Sequence, residues 1–327
     1  MDRSSTFLSH RAIRILFLSD SHLGFNRPVK ETNPQSGRSE NFFHAFDEAL
    51  EPALRSEVDA VIHGGDLFFR SRIPVWLTHE AITRIKPVSD RGIPFIFVPG
   101  NHERSWITHP ILWHMENVYV FAEPGTIILS IREVVLSISA FPFQRGDIRD
   151  RFRNVLNETA YQGNRADIRL LCMHQIVEGA RVGPGGYRFM KGPQVIRRAD
   201  IPDHFAVVLA GHIHRHQVLN DQRSRDPYTS AVVYAGSTGR TSRAEIHETK
   251  GFIVVDLIPT DDGRGSTRTI EFRPVRTGNR HLPRVENRIT VPDEAASIRR
   301  KDQPGLHREN SNSSQKKTRP VQLLLPL

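Results

Sequence analysis

Five short segments of the sequence end in side chains that bind divalent cations. They are Asp20-Ser-His22, His63-Gly-Gly-Asp66, Gly100-Asn-His-Glu103, His174 and Gly211-His-Ile-His214. The donors are carboxylates, imidazoles and one amide oxygen, with no thiolate. That set suits Mn²⁺, Fe or Zn²⁺ rather than Ca²⁺ or a soft-metal cluster. The candidates are too many for one ion and suit two ions sharing a bridging carboxylate. Two metals about 3.5–4 Å apart can clamp the attacking and leaving oxygens of an in-line displacement at phosphorus. They also lower the pKa of a shared water, so that hydroxide exists near neutral pH. Gly64, Gly65, Gly100 and Gly211 allow tight turns beside such ions. His102, between Asn101 and Glu103, is placed for general acid work.

Each segment closes a short apolar run rich in Val, Ile and Phe. These runs are Ile13–Ser19, Ala60–His63, Pro94–Val98, Ile168–Met173 and Phe205–Ala210, and a sixth is Ala231–Ala235. Runs of this length read as buried strands. The carboxyl ends of strands in an α/β sheet meet at one crevice, which brings residues distant in sequence together. Phe43, Phe46, Leu50 and Leu54 repeat at helical spacing, with a kink expected at Pro52. Leu77, Ala81 and Ile85 form a second stripe, with Pro74 suited to its first turn. Gly125–Phe143 holds two apolar runs around Arg132-Glu133 and reads as an antiparallel hairpin. Gly251–Leu257 and Thr267–Phe272 flank the turn Asp261-Asp-Gly-Arg-Gly-Ser and read as a terminal hairpin. The order of elements predicts an α/β domain with a mixed sheet. We expect a catalytic domain over residues 1–260, a hairpin and extension over 261–300, and a disordered basic tail over 301–327. The polar stretch Gln303–Lys317 cannot bury enough surface to offset the entropy of ordering it.

The chain of 327 residues carries 45 Lys and Arg against 36 Asp and Glu, a net charge of +9. From Pro274 onward there are 11 basic and 5 acidic residues, so +6 of that excess follows the expected catalytic domain. Basicity therefore supports a nucleic-acid substrate only weakly, through salt-sensitive contacts of the tail. A hydrophobic fraction of 38% with 18 Phe excludes a wholly disordered chain. The single cysteine, Cys172, excludes a disulfide framework and sits in an apolar run as a buried hydrophobe. The first residues lack a secretory pattern, and no apolar run approaches the roughly 20 residues that span a bilayer. A soluble, cytoplasmic protein is the expectation.

Taken in order, Asp20-x-His22, Gly65-Asp66, Gly100-Asn101-His102-Glu103, His174 and Gly211-His212-x-His214 resemble the full signature of the calcineurin-like metallophosphoesterases. The resemblance implies an α/β sandwich of two mixed β-sheets flanked by helices, with a dinuclear metal site at the strand C-terminal ends. It implies that Asp20, His22, Asp66 and His214 hold one metal, while Asp66 as bridge, Asn101, His174 and His212 hold the other. It implies two divalent ions, manganese first, with iron or zinc as alternatives. His102 would contact the substrate phosphate as the catalytic residue, and a metal-bridging hydroxide would attack in line. Within the superfamily the sequence is most similar to SbcD-type DNA repair exonucleases. Asp20-Ser-His-Leu-Gly24, Gly65-Asp-Leu-Phe68, Gly211-His-Ile-His214 and Ala235-Gly-Ser-Thr-Gly-Arg-Thr-Ser242, followed by Glu245 and Lys250-Gly-Phe252, carry that similarity over about Ile13–Leu257. It implies a DNA substrate and an SbcC-like coiled-coil ATPase partner. Two departures stand out. Phe69 occupies the position where those nucleases place a leaving-group His, and few residues expected to be ordered follow Leu257 to form their capping domain.

Arg181, Tyr187, Arg188 and Lys191 interleave basic and aromatic side chains between His174 and His212, a pattern that can track a nucleic-acid backbone. Arg104 follows the Asn-His-Glu block and can reach a phosphate. Arg145, Arg149, Arg151 and Arg153, diluted by Asp147 and Asp150, read as a solvated helix face. His44, His79, His109, His114 and His204 match no ligand position, whereas His63 and His216 have a weak claim to support the site. The leading expectation is a metal-dependent phosphodiesterase acting on DNA. A phosphodiesterase or phosphatase for small molecules, nucleotides or phosphoproteins is the alternative. A DNA-binding scaffold is a third reading, and the complete ligand set argues against it.

Overall fold

The structure, a computed structural model, describes residues 12–25, 38–103, 114–163, 165–219, 230–276 and 287–290. Arg104, His109 and the expected tail over 301–327 lie outside the described residues. The first half contains β1 (Ile13–Leu18), α1 (Arg38–Leu54), β2 (Ala60–His63), α2 (Val75–Ser89), β3 (Phe95–Phe97), β4 (Val118–Val120), β5 (Gly125–Ile131) and β6 (Val134–Phe141). Then follow α3 (Ile148–Glu158), β7 (Ile168–His174), β8 (Ile176–Val177), β9 (Arg181–Val182), β10 (Tyr187–Arg188), β11 (Val195–Ile196) and β12 (Val207–Gly211). The last strands are β13 (Gln217–Leu219), β14 (Ala231–Tyr234), β15 (Gly251–Ile258), β16 (Ser266–Pro274) and β17 (Asn287–Thr290).

Two mixed sheets face each other. The first has seven strands in the order β17-β16-β15-β1-β2-β3-β4, and the second has six in the order β13-β14-β12-β7-β6-β5. In the first, β1 to β4 run parallel and β15 to β17 extend it antiparallel. In the second, β6, β7, β12 and β14 run parallel, with antiparallel β5 and β13 at the edges. Side chains alternate across each strand, which explains the continuous apolar runs. Ile13, Ile15 and Phe17 face a layer shared with Leu136, Ile138, Leu170, Cys172 and Leu209 of the opposite sheet. Leu16 and Leu18 face the other way, against Phe46, Ala49 and Leu50 of α1 and Ala81 and Ile85 of α2. The outer face of the second sheet covers α3 through Leu171, Met173, Phe152 and Val155. The architecture is the expected sandwich of mixed sheets flanked by helices.

Several elements differ from their expected form. Pro52 lies in the last turn of α1, and the helix ends at Leu54 instead of kinking and continuing. Pro74 precedes α2 as its N-cap residue, where its carbonyl accepts from Leu77 and Thr78. The expected hairpin over Gly125–Phe143 is β5 and β6, in register from Gly125↔Ala140 to Ile131↔Val134. β16 and β17 are strands of the same sheet as β1. Cys172 is fully buried between the sheets, and burial pushes its thiol far above the usual range, so it is an inert hydrophobe.

Parallel register sets the position of the site. Leu18 is level with His63, and His63 with Phe97, so β1, β2 and β3 end together. His174 is level with Gly211 in the second sheet. A short bridge from Ser19 to Ser237 joins the first strand to the segment after β14. The loops that leave these strand ends converge.

Candidate metal centre

The backbone at the strand ends is bent to aim side chains inward. Asp20, His22, Asp66 and His212 all adopt left-handed backbone, with φ of 52°, 45°, 52° and 83°. Such a conformation costs a non-glycine residue on the order of 1–3 kcal/mol and clusters where function requires it. The turns are held by hydrogen bonds between loops. Asp20 donates its N–H to Gly65 O at 2.8 Å, and His22 donates to Asp66 O at 3.0 Å. The His212 N–H lies 3.2 and 3.1 Å from the two carboxylate oxygens of Asp20. Gly211 must be glycine because a Cβ there would strike the Gly64 carbonyl and the His174 ring.

Seven side chains named as ligands in the sequence meet in one crevice. His174 Nε2 lies 3.4 Å from Asp66 Oδ2, 3.9 Å from Asp20 Oδ1 and 3.2 Å from Asn101 Oδ1. His212 Nδ1 lies 2.8 Å from the same Asn101 oxygen. His22 Nε2 and His214 Nε2 face each other at 3.0 Å, and His214 Nε2 is 3.7 Å from Asp20 Oδ1. Two triads, Asp20 with His22 and His214, and Asp20 with Asp66 and His174, each gather donor atoms within 4.8 Å of one another. His102 forms a third with His22 and Asp66. Its N–H donates to Asp66 Oδ1 at 2.9 Å, and its Nδ1–H to the Phe69 carbonyl at 2.5 Å. The Nε2 of His102 therefore faces the crevice, 3.8 Å from Asp66 Oδ2.

The donors require a positive charge among them. His174 donates Nδ1–H to Gly64 O at 2.7 Å, which leaves Nε2 as a lone pair in the neutral ring. That lone pair points at two further acceptors, Asn101 Oδ1 and Asp66 Oδ2. A cation or a proton must lie between them. Burial lowers the His174 pKa, but Asp66 and Asp20 outweigh it and hold the metal-free imidazole at about 9. Burial pushes Asp66 up, and the His174, His22 and His102 rings overcome it and hold the carboxyl below its usual range. Burial, reinforced by neighbouring imidazoles, lowers His22 well below the ordinary value and His212 to about 3. Ionised Asp66 and neutral His22 and His212 are in the states that coordinate divalent ions, and the proton that His174 holds without metal sits where an ion would displace it. The residues present therefore fit a pair of such ions.

Sequence reasoning missed part of the support. Glu103 is a buried clamp whose Oε2 accepts from the N–H groups of Asp66 at 2.9 Å and Gly100 at 2.8 Å. Its Oε1 accepts from Phe68 at 2.9 Å, so one carboxylate ties two ligand loops. Burial and the nearby Asp66 push it up to about 8. Thr241 and Glu245 were quoted only as part of a motif, yet both reach His214 Nδ1 at 3.1 Å. Aromatic rings line both sides. Phe69 is 6.0 Å from His22 and 5.7 Å from His102, while Phe143 is 5.5 Å from His212.

Comparison with known proteins agrees with this geometry: residues 13–216 match the family described as calcineurin-like phosphoesterase. The chain belongs to the calcineurin-like phosphoesterases. Among curated relatives of this phosphoesterase is the DNA double-strand break repair protein Mre11 of Methanosarcina mazei, 30% identical over 271 residues. That match covers 80% of this chain and 39% of the relative, so the phosphoesterase spans about two fifths of that protein's length. The Mre11 of Saccharolobus solfataricus is 25% identical, covering 96% of this chain and 79% of its own. Among solved structures, the calcineurin-like phosphoesterase YfkN of Bacillus subtilis aligns with a TM-score of 0.49 at 11% identity. That alignment covers 79% of this chain and 88% of the other. No helix among the described residues of the phosphoesterase is long and apolar enough to cross a membrane.

The remaining candidates fall elsewhere. Arg181, Tyr187 and Arg188 lie on a small hairpin, β9 with β10, and Lys191 follows it. Arg181, Tyr187, Arg188 and Lys191 are exposed. The hairpin is fastened next to the metal loop, because Arg215, the residue after His214, donates to Gly183 O at 2.6 Å. Gln217 also binds it, accepting from Arg181 N at 2.8 Å. Arg149 and Arg153 are engaged with Val195 O and Asp200, so the basic run on α3 ties elements together as well as facing solvent. His63 sits behind the site, 2.9 Å from Ser21 Oγ. His216 stacks on Phe272 at 4.2 Å and donates to Tyr234 O, which gives it a packing role outside the candidate metal centre.

Proposed function

We propose that this protein is a metal-dependent phosphodiesterase acting on DNA, a repair nuclease. The observation that carries the reading is the convergence of Asp20, His22, Asp66, Asn101, His174, His212 and His214 around acceptors that need cations between them. Two divalent ions, manganese first, would supply Lewis-acid activation of the attacking water and neutralise charge on the phosphate. Asp20, His22, Asp66 and His214 would hold one, and Asp66, Asn101, His174 and His212 the other. The chain's own residues supply the rest. The His102 N–H fixes Asp66, and the Phe69 carbonyl fixes the His102 ring with Nε2 toward the crevice. With Nδ1–H donated to Phe69 O, it is the protonated His102 ring that would carry a second proton on Nε2. As the bond from phosphorus to the leaving oxygen breaks, that proton would pass to that oxygen, leaving a neutral ring. Phe69 and Phe143 narrow the approach and exclude bulk water.

A DNA substrate is supported by the name that the relatives carry, DNA double-strand break repair protein. It is also supported by the resemblance of the Ala235–Ser242 segment, which meets His214 through Thr241, to DNA repair exonucleases. Arg181, Tyr187, Arg188 and Lys191 would contact the strand, and Arg104 a phosphate. The catalytic body covers residues 1–260, with the strands beyond it completing its first sheet. Phe69 favours the second reading, a small phosphodiester substrate, because an apolar ring there carries no proton for a leaving nucleotide.

The deciding experiment measures Mn²⁺-dependent hydrolysis of single-stranded DNA, double-stranded DNA and bis-p-nitrophenyl phosphate, with Asp66→Ala as control. Cleavage of DNA that Asp66→Ala abolishes is the expected result. Turnover of the small ester without DNA cleavage would select the second reading, and turnover of neither would overturn both.

A further inference from the structure

The segment between β14 and β15 contributes no ligand, yet it closes on a single imidazole. Gly236, at φ 80°, lets the chain pass against the backbone of His214 and His216, where a Cβ would strike His214 O and His216 N. Two donors then meet the His214 carbonyl, Ser237 N–H at 3.1 Å and the Lys250 ammonium at 2.8 Å. Glu245 accepts on Oε1 from Thr241 Oγ1 at 2.9 Å, Ser242 Oγ at 3.1 Å and His214 Nδ1 at 3.1 Å. Its Oε2 accepts from Thr241 N at 3.2 Å and Lys250 Nζ at 2.9 Å. The Lys250 side chain is fully buried and is also 2.9 Å from Glu248 Oε2. A buried ammonium and a buried carboxylate persist only when paired and hydrogen-bonded like this.

The four imidazoles of the centre are held unequally. His174 is oriented by a neutral carbonyl, Gly64 O. His212 turns Nδ1 itself inward, toward Asn101. His22 presents Nε2, and its buried Nδ1 has no hydrogen-bond partner. Of these four, His214 is the one whose nitrogen turned away from the crevice meets a carboxylate. An ionised Glu245 only accepts, so Nδ1 of His214 carries a proton and Nε2 is the nitrogen turned to the crevice. A carboxylate behind an imidazole also makes the opposite nitrogen a stronger ligand, and removing such a partner typically weakens metal affinity 10–100-fold.

We infer that Glu245, bolted by Lys250 and Thr241, is a positioning residue that strengthens only the metal position built from Asp20, His22 and His214. The other position, around Asn101, His174 and His212, does not depend on it. This rests on the dinuclear reading above but not on any substrate.

Mn²⁺ titration of the full chain, by calorimetry with EPR in parallel, tests it. The unaltered protein should bind two ions and give a spin-coupled signal. Glu245→Gln should weaken one class of site roughly 10–100-fold, leave the other unchanged, and show an isolated-ion spectrum at one equivalent. Glu245→Asp should recover part of the loss. Thr241→Val, which keeps the carboxylate, should weaken the same class by a smaller factor and serves if Glu245→Gln does not fold. Two unchanged classes in Glu245→Gln, or equal weakening of both, would overturn the inference. Failure of the unaltered protein to bind Mn²⁺ would overturn the metal centre itself. Two bound ions without phosphodiester hydrolysis would overturn only the proposed function.

Discussion

The N–H of Asp66 donates to the Glu103 carboxylate at 2.9 Å, and the same oxygen takes the N–H of Gly100 at 2.8 Å. One side chain from the third ligand loop therefore sets where the second begins. Replacing Glu103 with Gln puts an NH₂ group against an N–H group on one side. A buried donor left without a partner costs about 1–3 kcal/mol. Domains of about 150–250 residues lose roughly 2–4 °C of Tm per kcal/mol, and this longer chain should lose somewhat less. Glu103→Gln should show this loss together with weaker Mn²⁺ binding, read by thermal melting and titration on one preparation. An unchanged Tm would mean that other bonds hold the two loops.

His102 shares a triad with His22 and Asp66, so geometry alone allows it as a ligand. Its backbone N–H, not its ring, holds Asp66 Oδ1, and its Nδ1 is committed to Phe69 O. His102→Ala keeps the backbone bond. It should retain two Mn²⁺ ions by elemental analysis while kcat for DNA cleavage falls about 10²–10⁴-fold. Hydrolysis of bis-p-nitrophenyl phosphate, whose phenolate leaves without a proton, should lose much less. Loss of an ion in that variant would make His102 a ligand.

The seven candidate ligands stood out in the sequence because each lies at or just beyond the end of a buried strand, where apolar runs stop abruptly at polar residues. The two faces of β1 were not separable in the sequence, because Ile13–Leu18 is an almost unbroken apolar run buried on both sides. Glu245 was not legible as a support. It lies in a short 3-10 turn, Arg243–Glu245, with no periodicity, and its role depends on β12 and β14 being neighbours. Glu103 stood in plain view near Asn101, but two of its three N–H partners, Asp66 and Phe68, belong to the backbone of another loop. β4, only Val118–Val120, and the two-residue strands β9 and β10 are too short to leave a pattern.

Acid should destabilise the protein in part through His63. Burial lowers its pKa from 6.5 to about 3. Its Nδ1 accepts from Gly65 N at 3.3 Å, and its Nε2–H donates to Ser21 Oγ at 2.9 Å, so the neutral ring is the one that fits. The unfolded chain takes up a proton near pH 6.5 that the folded chain refuses until about 3. Stability is therefore fully present above 6.5 and declines as pH falls across that window, by up to about 1.4 kcal/mol per pH unit. His22 and His212 act in the same direction, so the contribution of His63 is the difference from His63→Gln. Urea unfolding of metal-free protein at several pH values between 4.5 and 7 should give a shallower slope for the variant. Parallel slopes would mean that His63 is protonated in the fold.

The β9–β10 hairpin is where DNA and small-ester chemistry should separate. Arg181 and Arg188 are exposed, and the hairpin is tied next to the His212–His214 loop through Arg215 and Gly183. Neither Arg is a ligand, so Arg181→Ala with Arg188→Ala should leave hydrolysis of bis-p-nitrophenyl phosphate and Mn²⁺ content unchanged. Each lost phosphate contact should lower the slope of log affinity against log salt by nearly one, about 0.9 for duplex and 0.7 for single strands. DNA affinity should fall more at low salt than at high salt, because the missing contacts release counterions. Tyr187 is 56% exposed and meets the Phe189 ring edge-to-face at 5.1 Å, and an exposed aromatic ring offers a base stacking without charge. Tyr187→Ala should weaken single-stranded DNA by about 1–3 kcal/mol with no change in salt slope. Fluorescence anisotropy with labelled oligonucleotides at four salt concentrations, using Ca²⁺ to prevent cleavage, separates the two effects. If both variants bind as the unaltered protein does, the strand runs along another face of the crevice, and the hairpin only braces the His214 loop.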